Sequence, residues 1–216
     1  MYLPAHFAES RPEILHGFVR GHPLVLLVTQ NGDGGVDAND IPFVLDATDS
    51  ADSAGPGVLR GHVARANPVW RTARADVESL VVFQGPQGYV SPAWYPSTAE
   101  HGKVVPTWNY IVVQARGTLR AIEDRDWLHA FVSRLTDRHE KELSAPWAVT
   151  DAPADYIDQM LGAIVGIEIV LRTLVGKWKV SQNRPAADVE GVAAGLVRER
   201  GDPALAAAVR AFTKAR

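Results

Sequence analysis

The chain has 216 residues, 46% of them hydrophobic and 22% charged, which is the composition of a globular protein and excludes a largely disordered polymer. Its formal net charge of -3 gives no general attraction to nucleic acid or to an anionic membrane surface. The absence of cysteine excludes disulfides, thiolate metal sites and a catalytic thiol, and agrees with a reducing cytoplasm.

The sequence opens MYLPAHFAESRPE, without a charged segment followed by an apolar one, so no secretory signal is expected. The most apolar windows, 24–28 and 163–171, are too short to span a bilayer. A soluble, cytoplasmic protein with no membrane partner is expected. Ser10 followed by Glu13 reads as a capping box with Pro12 in the first turn, opening a short helix through Ile14, Leu15, Phe18 and Val19 that Gly21 and Pro23 stop. Residues 24–29 form a compact strand run. Asn31-Gly32-Asp33-Gly34-Gly35 then tolerates positive φ, so a hairpin to 36–45 follows. The stretch 46–57, rich in Asp, Ala, Ser and Gly, reads as an exposed loop.

A third strand, 58–63, leads to Asn67-Pro68, a helix-start signal for 69–74. Strands at 77–83 and 88–92 flank a Gly85-Pro86 turn. Residues 107–122 alternate as a strand in which Gly117 reads as a bulge. Apolar residues at Trp127, Leu128, Phe131, Val132 and Leu135 have helical spacing within 124–143, and a second helix covers 153–161. A long strand over 164–180, interrupted at Gly176, precedes two Ala-rich helices, 186–200 and 203–214, parted by Gly201. Strands at short spacing with peripheral helices point to one domain over 1–216 built on a small antiparallel barrel, with the C-terminal helices from about 186.

The segment 83–110 holds two of the six Trp, three of the five Tyr and four Pro, and reads as a hairpin too broken for helix. Such rings either plug a barrel end, line an interface between subunits, or grip a planar ligand. In GHVARANPVW, 61–70, a strand carries His62 and Arg65 to a helix start at Asn67, where unpaired N–H groups and a guanidinium can hold a phosphate; the alternative is a surface charge and a simple cap. In GKWKVSQN, 176–183, Lys177 and Lys179 share a strand face and can converge on one anion, with Ser181 and Gln182 adding donors; the alternative is a solvated strand end. The seven His are scattered and make no zinc pattern, no nucleotide P-loop is present, and Ser91 before Pro92 lacks the elbow of a hydrolase nucleophile.

GHVARANPVW, FQGPQGYVSPAWY, VPTWNY, LTDRHE and GKWKVSQN, taken in this order from Met1-Tyr2-Leu3-Pro4 to the C-terminal helices, resemble the PaiB family, described as FMN-binding negative transcriptional regulators. The resemblance implies a mainly β fold with peripheral helices, α+β, of the FMN-binding split β-barrel type similar to pyridoxamine phosphate oxidase. It implies a homodimer with flavin at the subunit interface and FMN as cofactor. The cofactor-binding residues it implies are His62, Arg65 and Asn67 on the strand and loop, Ser91, Trp94, Thr107, Trp108 and Asn109 on the aromatic segment, and Lys177, Lys179, Ser181 and Gln182 on the last strand. It assigns no catalytic residue and no metal. Where the family commonly shows His-Leu-Pro-Phe, this chain has Asp40-Ile41-Pro42-Phe43, which changes charge and donor capacity at that corner.

The resemblance favours a transcriptional regulator. Direct DNA contact draws little from the charge pattern, since 186–216 carries five basic and four acidic residues and no basic recognition helix. The alternative is a small FMN-dependent oxidoreductase, a flavin reductase or oxidase, in which the isoalloxazine does the chemistry and no side-chain nucleophile is needed. A haem-binding or haem-degrading split barrel, with His62 as ligand, ranks third.

Overall fold

The computed structural model describes residues 1–47 and 55–214. Most of the expected loop at 46–57 therefore lies outside the described residues. A 3-10 turn at Ala5–Phe7 precedes β1 (Ala8–Glu9) and α1 (Pro12–Gly21), then β2 (Leu24–Gln30), β3 (Val36–Pro42), β4 (Val44–Asp46), β5 (Val58–Ala64) and α2 (Val69–Thr72). After these come β6 (Ser79–Val90), α3 (Ser97–His101), β7 (Thr107–Ile122), α4 (Arg125–Glu140), α5 (Ala154–Gly162), β8 (Ile164–Lys179), α6 (Ala186–Arg200) and α7 (Pro203–Lys214). The eight strands form one sheet in the order β3-β2-β6-β7-β8-β5-β4, with β1 paired to β8.

The described chain falls into two compact units. The first gathers Met1–Leu15, Gln84–Val113 and Val175–Arg216, and the second His16–Phe83 and Gln114–Leu174.

In the second unit the expected hairpin forms in register, Leu24 opposite Pro42 through Gln30 opposite Val36. Gly34 takes φ +88 in its turn, a conformation that costs glycine least. Period-2 alternation buries Val25, Leu27 and Thr29 from β2 and Leu59, Gly61 and Val63 from β5. Residues 165–169 of β8 are buried on both faces, as their near-continuous apolar run demands. Glu168 is the exception, 2% exposed. It accepts from Arg60 Nε at 2.6 Å and from Arg120, so its carboxylate is paired rather than bare. The strand path curls until β3 packs on β5. Gly61 permits this approach, because a Cβ there would lie 3.0 Å from the Phe43 ring and from the Pro42 carbonyl. Asp124 caps α4 by accepting from the Trp127 N–H at 2.7 Å.

Four sequence expectations change. The Gly85-Pro86 dipeptide does not turn the chain: β6 runs unbroken through it, so one strand replaces two. Gly117 makes no break in β7. Its missing side chain admits the Val170 carbonyl to 2.1 Å from where a Cβ would stand, so close backbone approach is its role. The segment 83–110 does join neighbouring strands, β6 and β7, as a hairpin, but its long connection is not free of helix: Pro92–Trp94 is a 3-10 turn and Ser97–His101 a short helix, ended by Gly102 at φ +64. In the first unit Gly176 likewise interrupts nothing, since β8 continues to Lys179 and the position abuts the Trp178 ring and Leu15. The two C-terminal helices form where expected, with Gly201 in the left-handed conformation between them.

Candidate functional site

Basic and aromatic side chains in the first unit meet where β7 begins and β8 ends. The two lysines of β8 do share a face, because residues two apart on a strand must. Lys177 Nζ lies 5.3 Å and Lys179 Nζ 6.0 Å from the Tyr110 ring centroid. Lys177 is buried and donates to the Tyr2 carbonyl at 3.0 Å. Lys179 donates to Thr107 Oγ1 at 2.6 Å and to the Trp108 carbonyl. Arg184 joins them: a turn bonded Arg184 N–H to Ser181 carbonyl at 2.9 Å brings its guanidinium 5.2 Å from the Tyr95 ring. Sequence reasoning passed over Arg184, Tyr95 and Tyr110 as ligands. The available signal was an arginine only three positions beyond Ser181, within reach of one turn.

A cavity of about 120 Å³ sits here, lined by Phe7, Tyr95, Val105, Thr107, Asn109, Lys179, Ser181, Asn183 and Arg184. No carboxylate is among these residues. Burial lowers the Lys179 ammonium from its ordinary pKa, and repulsion from Lys177 and Arg184 adds to it. Cations held together without an acid favour an anion. Buried Asn109 donates to Ser181 Oγ at 2.9 Å. Ser181 itself adopts φ 65, the one non-glycine residue at positive φ among those described, a strained conformation that the surrounding contacts must enforce.

The other expected residues are placed as follows. Gln182 folds its amide onto its own backbone, accepting from the Val180 N–H at 2.9 Å and donating to the Trp178 carbonyl. Ser91 caps the 3-10 turn by accepting from the Ala93 N–H at 3.2 Å. Trp94 is buried against α6, where Gly191 and Gly195 leave room for it. Trp108 is 56% exposed, with its ring 6.2 Å from Tyr89 in an edge contact.

His62, Arg65 and Asn67 belong to the second unit. Asn67 accepts from the Val69 N–H at 3.0 Å and donates to Asn39 Oδ1 at 2.9 Å, so it both starts α2 and ties the loop to β3. The Arg65 guanidinium donates to Glu123 at 2.6 Å, to the Gly162 carbonyl at 2.9 Å and to the Ile164 carbonyl at 3.2 Å. Its donors are thus engaged within the protein. His62 projects from β5 into a separate apolar cavity beside α4 and α5. Asp40 is exposed on β3, opposite Leu26.

The family profile described as "Putative FMN-binding domain" matches residues 1–173. The chain belongs to this PaiB-like family. The PaiB-like chain is 36% identical to an uncharacterized protein of Emericella nidulans over 94% of its own length and 98% of that protein's. It is 30% identical to the "Protease synthase and sporulation protein PAI 2" of Bacillus subtilis, over 92% and 90% of the two chains. Among solved structures, a conserved hypothetical protein from Mycobacterium tuberculosis superposes with a TM-score of 0.58 at 17% identity, covering 86% of this chain and 94% of that one. The PaiB-like fold is the split β-barrel type, an antiparallel eight-stranded sheet with seven α-helices among the described residues. None of those helices is long and apolar enough to cross a membrane.

Proposed function

We propose that this chain binds FMN, that the flavin phosphate docks at Lys179 with Arg184, Thr107 and Ser181, and that the holoprotein acts as a regulator. The observation that carries the reading is the acid-free cluster of cations around Lys179, whose mutual repulsion a phosphate relieves. Membership of an FMN-binding family supports the choice of anion. At about 120 Å³ the cavity suits a phosphate, whereas whole small molecules occupy roughly 300 Å³ or more. The flavin ring therefore lies outside it and needs a second wall, and a second copy of the chain supplies that wall. Bound FMN brings the redox-active isoalloxazine; the chain's own residues bind and orient it. The regulatory role draws on the resemblance of the ordered motifs to the PaiB family, described as negative transcriptional regulators.

Titration with FMN and with riboflavin, which lacks the phosphate, tests the reading. FMN binds more tightly, and Lys179→Ala weakens FMN by about 1.5 to 3 kcal/mol while leaving riboflavin unchanged. Equal affinity for the two flavins would refute the phosphate site, and failure to take up FMN refutes the cofactor. For the regulatory step, a DNA mobility shift of the holoprotein must persist at physiological salt. Steady nicotinamide oxidation in the presence of FMN, without such a shift, assigns the chain to the flavin oxidoreductases instead.

A further inference from the structure

The cavity beside His62 is about 360 Å³, within the range of small-molecule pockets. Helical periodicity builds it. Val132 and Leu135 from α4 face Met160 and Leu161 of α5, and His62 enters from β5. Tyr156 and Met160, with Trp147 from the α4–α5 connection, are exposed at 52%, 38% and 45%, an unusual amount of large apolar surface to leave around one opening.

His62 is the polar exception in this wall. Its Nδ1 is buried and makes no hydrogen bond, and its ring contact is an edge approach to Phe131 at 6.0 Å. Burial lowers its pKa, so at neutral pH the imidazole is uncharged and carries one N–H. A buried bare acceptor is less costly than a buried orphan N–H, which places the proton on Nε2. The ring therefore has a donor to offer, and the described protein residues give it no partner.

We propose that this cavity is a binding site for a compact, uncharged, mainly apolar ring compound bearing one hydrogen-bond acceptor, of the aromatic ketone class, with His62 donating to that acceptor. Apolar walls supply the affinity, and the single polar contact selects the carbonyl compound over the plain hydrocarbon. This inference does not depend on the flavin reading.

Isothermal titration of the full chain without flavin compares 1-tetralone with tetralin, the same bicycle lacking the carbonyl. The ketone should bind about 5- to 10-fold more tightly, as one additional net hydrogen bond implies. His62→Phe should remove that preference while hydrocarbon binding persists. Met160→Trp, at the exposed rim where folding is little threatened, should block both ligands, and Ala163→Phe provides a second filling variant. Circular dichroism and a thermal melt certify that each variant is folded. Equal affinity for the two compounds, no binding of either, or unchanged binding in both filling variants would overturn the proposal. So would a Met160→Trp variant that binds tetralone normally yet changes its sedimentation, since the cavity would then belong to a second copy of the chain.

Discussion

Gly17 and Gly195 both lie inside helices, yet alanine has opposite effects at the two positions. In α1 a Cβ at Gly17 meets nothing within 4 Å, so Gly17→Ala gains the helix preference of alanine, about 1 kcal/mol. In α6 a Cβ at Gly195 would stand 2.3, 2.5 and 2.8 Å from three atoms of the Trp94 indole. The ring has little room to retreat. It is 6% exposed, and one turn earlier a Cβ at Gly191 would stand 2.1 Å from the Trp94 carbonyl oxygen, so the 3-10 turn packs closely on the helix there too. Overpacking of this kind costs about 1 to 3 kcal/mol, and contact with a rigid buried ring puts Gly195 at the upper end. After the helix gain, Gly195→Ala loses about 1 to 2 kcal/mol. For a chain of this size that is a melting point lowered by roughly 2 to 8 °C, against a rise of about 2 to 4 °C for Gly17→Ala. Scanning calorimetry of both variants reads the difference. A Gly195→Ala protein that melts at or above the parent would refute the assignment of Trp94 to the packing of α6.

Because the Lys179 pKa is lowered, its charge is lost earlier than an ordinary lysine's as pH rises, so FMN affinity falls through that lowered pKa while riboflavin affinity stays flat; parallel curves would rule out Lys179 as the phosphate partner. In the same titration Arg65→Ala has a smaller effect than Lys179→Ala, since the Arg65 donors are already engaged with Glu123 and two carbonyls. His62 has a folded pKa below its ordinary 6.5, so the unfolded chain takes up a proton that the native one refuses as pH drops below 6.5. Stability is therefore lost from 6.5 down to the folded pKa, and His62→Gln flattens that part of a urea-midpoint series against pH; superimposable slopes would refute it. Glu168→Ala strips the partner from Arg60 and Arg120, but Arg60 keeps Asp46 and Arg120 is largely exposed, so the loss is about 2 to 3 kcal/mol, below that of a fully buried pair. Urea denaturation measures it, and a loss under about 0.5 kcal/mol would show the pairing to be idle.

Local rules carried much of the fold. The β2–β3 hairpin, the α4 helix expected within 124–143, the Asn67 cap and the paired C-terminal helices follow from turn chemistry, capping and periodicity acting within a few residues. The same rules misjudged Gly85-Pro86, Gly117 and Gly176, because a glycine looks identical whether it turns the chain or admits another group. At Gly117 the decisive neighbour is the Val170 carbonyl, 53 positions away in sequence, and no local pattern announces it. The ordered motifs were enough to identify the PaiB-like family.

The site divides in the same way. That Lys177 and Lys179 share a face is a property of any strand, and the sequence by itself determined it. Only tertiary structure decided which polar groups remain available for a ligand, since that depends on partners brought from elsewhere in the chain. Arg65, whose sequence context invites a phosphate, is engaged by Glu123, Gly162 and Ile164, and Trp94, whose context invites a flavin, is engaged by α6. Arg184, whose only local signal is its place three positions beyond Ser181, is folded back beside Lys179 by a single turn. Residue type and spacing set the chemistry on offer, and long-range packing determines which side chains are left to use it.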